Sequence, residues 1–199
     1  MVSRASSCRW LRQRGTSMIE VLVTLVIIAI GLLGLAGLQT RLESSEMESY
    51  QRAQALVLLD DMGSRMGSNR LSAAKYAEAA PLTAPLGAGM VCPATDASST
   101  RAQVDSAEWC AALQGVAETA GGNRLGAVVG GRGCVEDLGL GPAGDRMFRV
   151  TVAWQGLTPT TVPVEGCGAG QYNGPAGSVC AGDLCRRAVS AFIRMANLK

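Results

Sequence analysis

In this chain of 199 residues, cysteine is the residue type whose number and spacing most suggest specific chemistry, either disulfide bonds or metal binding. Six of the seven cysteines follow residue 90, and they are Cys92, Cys110, Cys134, Cys167, Cys180 and Cys185. An even number of cysteines in an exported domain is typical of disulfides, and six cysteines allow 15 pairings, among which the sequence does not choose. A metal site needs closely spaced ligands, but only Cys180 and Cys185 are near each other and the chain has no histidine. We therefore expect up to three structural disulfides and no metal site.

The sequence contains no recognisable set of catalytic residues. The absence of histidine excludes Ser-His-Asp and Cys-His catalysis. The glycine cluster at residues 166–170 follows no strand-turn-helix pattern that would make it a phosphate site. The acidic pairs Asp60-Asp61 and Glu136-Asp137 are typical of solvated helix or turn ends. We expect no enzymatic activity and no cofactor.

The charges of the chain are segregated. Four arginines and no acid occur in the first fifteen residues, namely Arg4, Arg9, Arg12 and Arg14. The remainder has a net charge of −2, because 14 of the 18 basic residues remain against 16 acids. Aromatic residues make up only 4%. This composition disfavours a nucleic-acid-binding surface, since such surfaces use basic patches and stacking aromatics.

The apolar run at residues 21–38, which we call the apolar segment, contains no charged residue and is long enough to cross a membrane. The arginines before it predict a cytoplasmic N-terminus and an exported C-terminal part. A lipoprotein signal is excluded because Leu38 stands where the lipidated cysteine would be. An ordinary signal peptide, cut after Ala36, remains an alternative to a retained anchor.

Glu20 is an unusual residue, because a carboxylate at the edge of an apolar run is costly unless a cation neutralises it. Together with the arginine-rich leader, the residues Gly15-Thr16-Ser17-Met18-Ile19-Glu20 resemble the processing signal of type IV pilins and type II secretion pseudopilins. The resemblance implies that a prepilin peptidase cuts after Gly15 and that the new N-terminus, Thr16, is N-methylated. It also implies that Glu20 pairs with the N-terminal amine of a neighbouring subunit during assembly.

Several segments are more narrowly similar to PilV-like minor pilins of the type IV pilus: residues 17–23, 31–39 and 147–156, and Cys185-Arg186-Arg187. This resemblance implies a structural subunit that primes pilus assembly with other minor and major pilins and that has a tip adhesin as a further partner. It implies an inner-membrane prepilin whose C-terminal domain is periplasmic and which then moves into the filament, with no specific nucleic acid bound. A type II secretion pseudopilin remains the nearest alternative, and a secreted binding domain is an alternative of a different class.

The predicted fold is α+β, with one long helix on a small antiparallel sheet as in pilins. The helix is expected over residues 18–69, and Ala55, Leu59, Met62 and Met66 form its core-facing stripe. Residues 70–104 are expected to be a connection, followed by a helix from Asp105 to about Thr119. Strands are predicted at 125–130, 147–155, 160–164 and 187–194, of which 160–164 is an edge strand or no strand because of Pro159 and Pro163. The expected division is a leader at 1–15, the helix at 16–69 with a transmembrane segment at about 21–38, and a globular domain at 70–199.

Overall fold

Helix α1 (Met18–Ser68) has 51 residues and is the longest element of the computed structural model. The structure describes residues 17–115, 119–120, 123–124, 128–142 and 144–196. The chain forms two units, which meet between Glu43 and Ser44, and α1 contributes to both. No proline interrupts residues 18–68, which is why the helix continues through its glycines. The predicted helix over 18–69 is confirmed.

Two shorter helices belong to the second unit, α2 (Ala73–Ala79) and α3 (Arg101–Leu113). Thr100 caps α3: its hydroxyl accepts the backbone N–H of Gln103, whose side chain accepts the backbone N–H of Thr100 in return. The predicted helix start at Asp105 is therefore wrong, because Asp105 lies inside α3 and is buried. The expected connection over 70–104 also contains α2 and strand β1 (Leu86–Gly87).

The main sheet has four antiparallel strands in the order β1-β4-β5-β6. Its long strands are β4 (Arg132–Leu140), β5 (Arg146–Gln155) and β6 (Arg186–Met195). A separate pair consists of β2 (Thr119–Ala120) and β3 (Asn123–Arg124). The strands predicted at 147–155 and 187–194 are confirmed, and the fold class is α+β as expected.

Two predicted strands have a different outcome, and one strand was missed. Residues 160–164 form no strand, since Pro163 within them and Pro159 before them have no backbone N–H to donate. Only the N–H of Thr160 makes a backbone bond, to Leu184. In the predicted strand 125–130, residues 125–127 lie outside the described residues and 128–130 lead into a turn. Strand β4 was not predicted at all.

The core lies between α1 and one face of the sheet. The core-facing stripe of α1 at Ala55, Leu59, Met62 and Met66 is buried, as the spacing predicted. From β5, alternate residues Phe148, Val150, Val152 and Trp154 join the same cluster. Trp109 of α3 is fully buried, and its Nε1 donates to the carbonyl of Leu58 at 2.8 Å, which connects α3 to α1.

Candidate functional site

The first unit exposes apolar side chains around its whole circumference. Every described residue from Ser17 to Glu43 is solvent-exposed, including all the large side chains of the apolar segment. A helix that is apolar on all sides belongs in a protein core or in a membrane. Among the described helices, α1 alone is long and apolar enough to cross a membrane, as judged by length and composition. The apolar segment of α1 is therefore a surface that contacts lipid or other helices.

Glu20 lies in the first turn of α1, at the start of that surface. Its backbone N–H donates to the carbonyl of Ser17 at 3.0 Å. A carboxylate in a first turn interacts favourably with the helix dipole, by about 0.3–1 kcal/mol. Within the described part of the chain Glu20 has no salt bridge, so its charge is available to an external cation. The predicted cleavage pair, Gly15 and Thr16, lies outside the described residues.

A buried carboxylate joins the three helices of the second unit. Asp105 of α3 is 1% exposed and accepts hydrogen bonds from Arg65 Nη1 of α1 (3.1 Å) and Tyr76 Oη of α2 (2.6 Å). It also forms an ion pair with Arg101 Nη2 (2.7 Å). Burial, followed by the bond to Asp105, raises the pKa of Tyr76 to about 12. Burial lowers the pKa of Arg65, but its bonds to carboxylates, first Glu108, outweigh this and leave the pKa raised. The network holds α2 and α3 on the second half of α1.

The six cysteines form three disulfides: Cys92–Cys110, Cys134–Cys167 and Cys180–Cys185. The first attaches the connection to α3, the second attaches the irregular segment 156–185 to β4, and the third closes a short loop before β6. Oxidised cysteines are neither nucleophiles nor metal ligands. The described residues also contain no group of three or more His, Cys, Asp or Glu side chains placed to hold a metal. The cysteines thus serve the structure of the second unit.

Arg186 is a structural residue that the sequence did not reveal. Arg186 lies at the start of β6 and is only 3% exposed. Its guanidinium donates to the carboxylate of Asp183 (3.2 Å) and to the carbonyls of Pro163, Glu165 and Cys167. Asp183 also accepts the backbone N–H of Gly170 at 2.8 Å. A charge-assisted cluster therefore orders segment 156–185, which has no strands of its own.

Glu48 connects α1 to the end of the sheet. Its Oε1 accepts from Arg187 Nη2 (3.0 Å), the backbone N–H of Leu157 (3.2 Å) and Thr158 Oγ1 (3.3 Å). Both side chains of the ion pair are mostly buried, 139 positions apart in the sequence. The contact fixes the first turns of α1 in the second unit against β6.

Comparison with known proteins adds one finding. The model of the prokaryotic N-terminal methylation motif matches residues 10–36, which include the expected cleavage position, Glu20 and most of the apolar segment. No curated protein and no solved structure matches the chain. The match shows the N-terminal methylation motif, and the exposed apolar helix and the α+β domain are compatible with a type IV pilin or pseudopilin.

Proposed function

We propose that this protein is a PilV-like minor pilin, a structural subunit that primes or supports type IV pilus assembly with other minor and major pilins. The observation that carries the proposal is the fully exposed apolar segment with Glu20 in the first turn of its helix, inside the matched methylation motif. The disulfide-bonded second unit supports it, because an exported domain is oxidised. The six cysteines and the segment at 147–156 favour the pilus over a type II secretion pseudopilus.

The proposed life cycle starts with a prepilin in the inner membrane. The basic leader at 1–15 is cytoplasmic, the apolar segment spans the bilayer and residues 70–199 are periplasmic. The prepilin peptidase cuts between Gly15 and Thr16, and Thr16 is then methylated. The subunit afterwards enters the filament or its tip, where a tip adhesin is a further partner.

Glu20 has an assembly role in this proposal. The next basic residue along the chain after Glu20 is Arg41, on the far side of the apolar segment. The amine that cleavage releases on a neighbouring Thr16 is a suitable partner, since pairing would neutralise both charges in a medium of low dielectric constant. Such a pair would also fix the axial offset between two α1 helices.

The test replaces Glu20 by glutamine in cells that lack the native copy. Surface pili should decrease, whereas the amount of protein and its disulfide state should stay normal, because Glu20 belongs to the first unit and the disulfides belong to the second. Glu46→Gln is the matched control, since Glu46 is an exposed acid on the same helix beyond the apolar segment. Wild-type piliation and co-purification with other pilins in Glu20→Gln would refute the assembly role.

N-terminal sequencing of the membrane-extracted protein tests processing separately. The expected sequence starts Thr-Ser-Met-Ile-Glu. A start at Gly37 would instead establish an ordinary signal peptide and a secreted domain. Deletion of the gene distinguishes the two assemblies, since loss of pili with normal protein secretion supports the pilus, and the reverse supports the secretion pseudopilus.

A further inference from the structure

A small polar cavity lies between α1 and the first residues of β6, within the second unit. It measures about 220 Å³. Its polar lining comes from Ser45, Glu48, Ser49 and Arg52 of α1, from Trp154 of β5 and from Arg187 of β6. Pockets for drug-sized ligands measure about 300–1,000 Å³. The cavity is therefore suited to one small chemical group.

The charges of this cavity include one cation without a counter-ion. The guanidinium of Arg187 is already occupied, since its Nη2 donates to Glu48 Oε1 at 3.0 Å and to the carbonyl of Thr158 at 2.7 Å. Arg52 lies one helical turn after Glu48, is exposed and forms no ion pair within the described ranges. Two arginines and one glutamate give the lining of the cavity a net charge of +1. The unbalanced charge is that of Arg52.

The wall of the cavity is held in place by contacts that do not involve Arg52. Glu48 Oε1 accepts from Arg187, from the backbone N–H of Leu157 and from Thr158 Oγ1. The carboxylate of Glu48 is thus satisfied by partners on the sheet side. Trp154 pairs with Arg187 across β5 and β6. Groups that are fixed before binding lose less conformational freedom when a ligand arrives.

The lining of the cavity also includes a buried hydrogen-bond donor that lacks an acceptor. Trp154 is 3% exposed, and no described residue accepts a hydrogen bond from its Nε1. Trp109, by contrast, donates its Nε1 to the carbonyl of Leu58. Buried tryptophans usually have such a partner, because an unpaired buried donor is costly. The hydroxyls of Ser45 and Ser49 likewise have no hydrogen bond in the described part of the chain, so the free groups of the cavity are mainly donors.

We propose that this cavity binds a single carboxylate group, carried by a small acid or by an acidic side chain of another protein. Arg52 supplies the positive charge, and Trp154 Nε1 and the two serine hydroxyls donate to the carboxylate oxygens, since charge-assisted hydrogen bonds are the stronger ones. A phosphate group matches the net charge of +1 less well, because it carries about −1.5 to −2 at pH 7. The proposal does not depend on the assembly role of Glu20, because every residue that it uses lies in the second unit.

The test follows the indole N–H resonances by NMR, with the full wild-type chain in detergent and isotope-labelled tryptophan. Sodium acetate is added at a constant ionic strength that sodium chloride maintains. The resonance of Trp154, identified by its loss in Trp154→Phe, should move downfield because its N–H gains an acceptor. The resonance of Trp109 should stay in place, since that N–H already donates to Leu58. A Trp154 resonance that does not respond to acetate would overturn the proposal.

Two arginine variants test the source of the positive charge. Arg52→Gln removes the free cation and should weaken acetate binding about tenfold or more, which is the effect of losing one hydrogen bond to a charged group. Arg70→Gln is the matched control, because Arg70 is also exposed and without an ion pair in the described ranges, but lies outside this cavity. It should bind acetate as the wild type does. Equal affinities of the two variants would contradict the role of Arg52.

Further ligands test the chemical class and the source of the carboxylate. Acetamide, the neutral analogue of acetate, should not move the Trp154 resonance, and phosphate should bind less tightly than acetate. An equal response to acetamide, or tighter binding of phosphate, would overturn the choice of ligand. The blocked peptide acetyl-Gly-Glu-Gly-amide distinguishes the sources: binding at least as tight as that of acetate supports an acidic side chain of another protein, and binding of acetate alone supports a small acid. If neither binds, the proposal fails.

Discussion

The buried carboxylate of Asp105 should be a major determinant of the stability of the second unit, and Asp105→Asn tests this. The substitution retains the size of the side chain and removes its charge. It leaves Arg65, Arg101 and Tyr76 with a neutral partner in place of a carboxylate at 2.6–3.1 Å. The three partner residues lie on α1, on α3 itself and on α2, so the loss affects the packing of all three helices.

The magnitude follows from burial. Removal of one partner from a buried ion pair costs about 3–5 kcal/mol. The cost should be lower here, because Arg101 is mostly exposed and Arg65 retains Asp61 and Glu108. We expect Asp105→Asn to lower the free energy of unfolding by about 2–3 kcal/mol. For a domain of this size that corresponds to a decrease in Tm of about 4–12 °C.

The assay is urea unfolding of the full chain in detergent, followed by tryptophan fluorescence, since Trp109 and Trp154 are buried. Glu108→Gln is the matched control: Glu108 binds the same Arg65, but its side chain is 53% exposed, so its loss should cost less than about 1 kcal/mol. Equal losses in the two variants, or a loss below about 1 kcal/mol in Asp105→Asn, would refute the argument from burial.

Three further measurements probe the second unit. The pKa of Tyr76 is raised from 10 to about 12 in the folded state. The stabilisation by its neutral hydroxyl is therefore complete below pH 10 and is lost as the pH rises through 12. In urea unfolding at a series of pH values, Tyr76→Phe should lose less stability over this range than the wild type. Replacement of Cys134 and Cys167 by alanine should lower the free energy of unfolding by about 3.7 kcal/mol, because this disulfide closes a loop with a sequence separation of 33. Replacement of Cys180 and Cys185, with a separation of 5, should lower it by about 2 kcal/mol. Equal decreases in Tm for the two double variants would contradict this dependence on loop length. Gly133→Ala should cost about 1–3 kcal/mol in urea unfolding, since its Cβ would lie 2.1 Å from Trp109, and an unchanged midpoint would show that the ring can move.

The elements that the sequence predicted well have a regular pattern and few interruptions. Helix α1 has an apolar run followed by a stripe at helical spacing. In β5 the large apolar residues Phe148, Val150, Val152 and Trp154 alternate along the sequence, although Thr151 and Ala153 between them are buried as well. Strand β4 lacks such a pattern, because Gly133 and Gly139 have no side chain and Glu136 and Asp137 are adjacent acids. Those acids are stabilised across the strand pair, by arginines of β5 that the local sequence does not connect to them.

Some features of the candidate site could likewise be predicted from the sequence and others could not. The apolar segment and Glu20 are recognisable because their significance depends on a contiguous stretch of sequence. The burial of Arg186 depends on carbonyls from residues 163–167 and on Asp183, which only the folded chain brings together. Likewise, the cysteine pairing depends on tertiary proximity, so the sequence supplied the number of cysteines and the structure supplied the partners.

The order of the disulfides has a consequence for biosynthesis. Each bond joins a cysteine to the next cysteine among the six, so the three loops follow one another without overlap. When such a chain crosses a membrane from its N-terminal side, every second cysteine to emerge finds its native partner already outside. An oxidant that joins cysteines in order of arrival forms the native set directly, without the exchange reactions that take seconds to hours. Cells without disulfide isomerase should therefore produce this domain with its native bonds, and vectorial export itself would direct the oxidation.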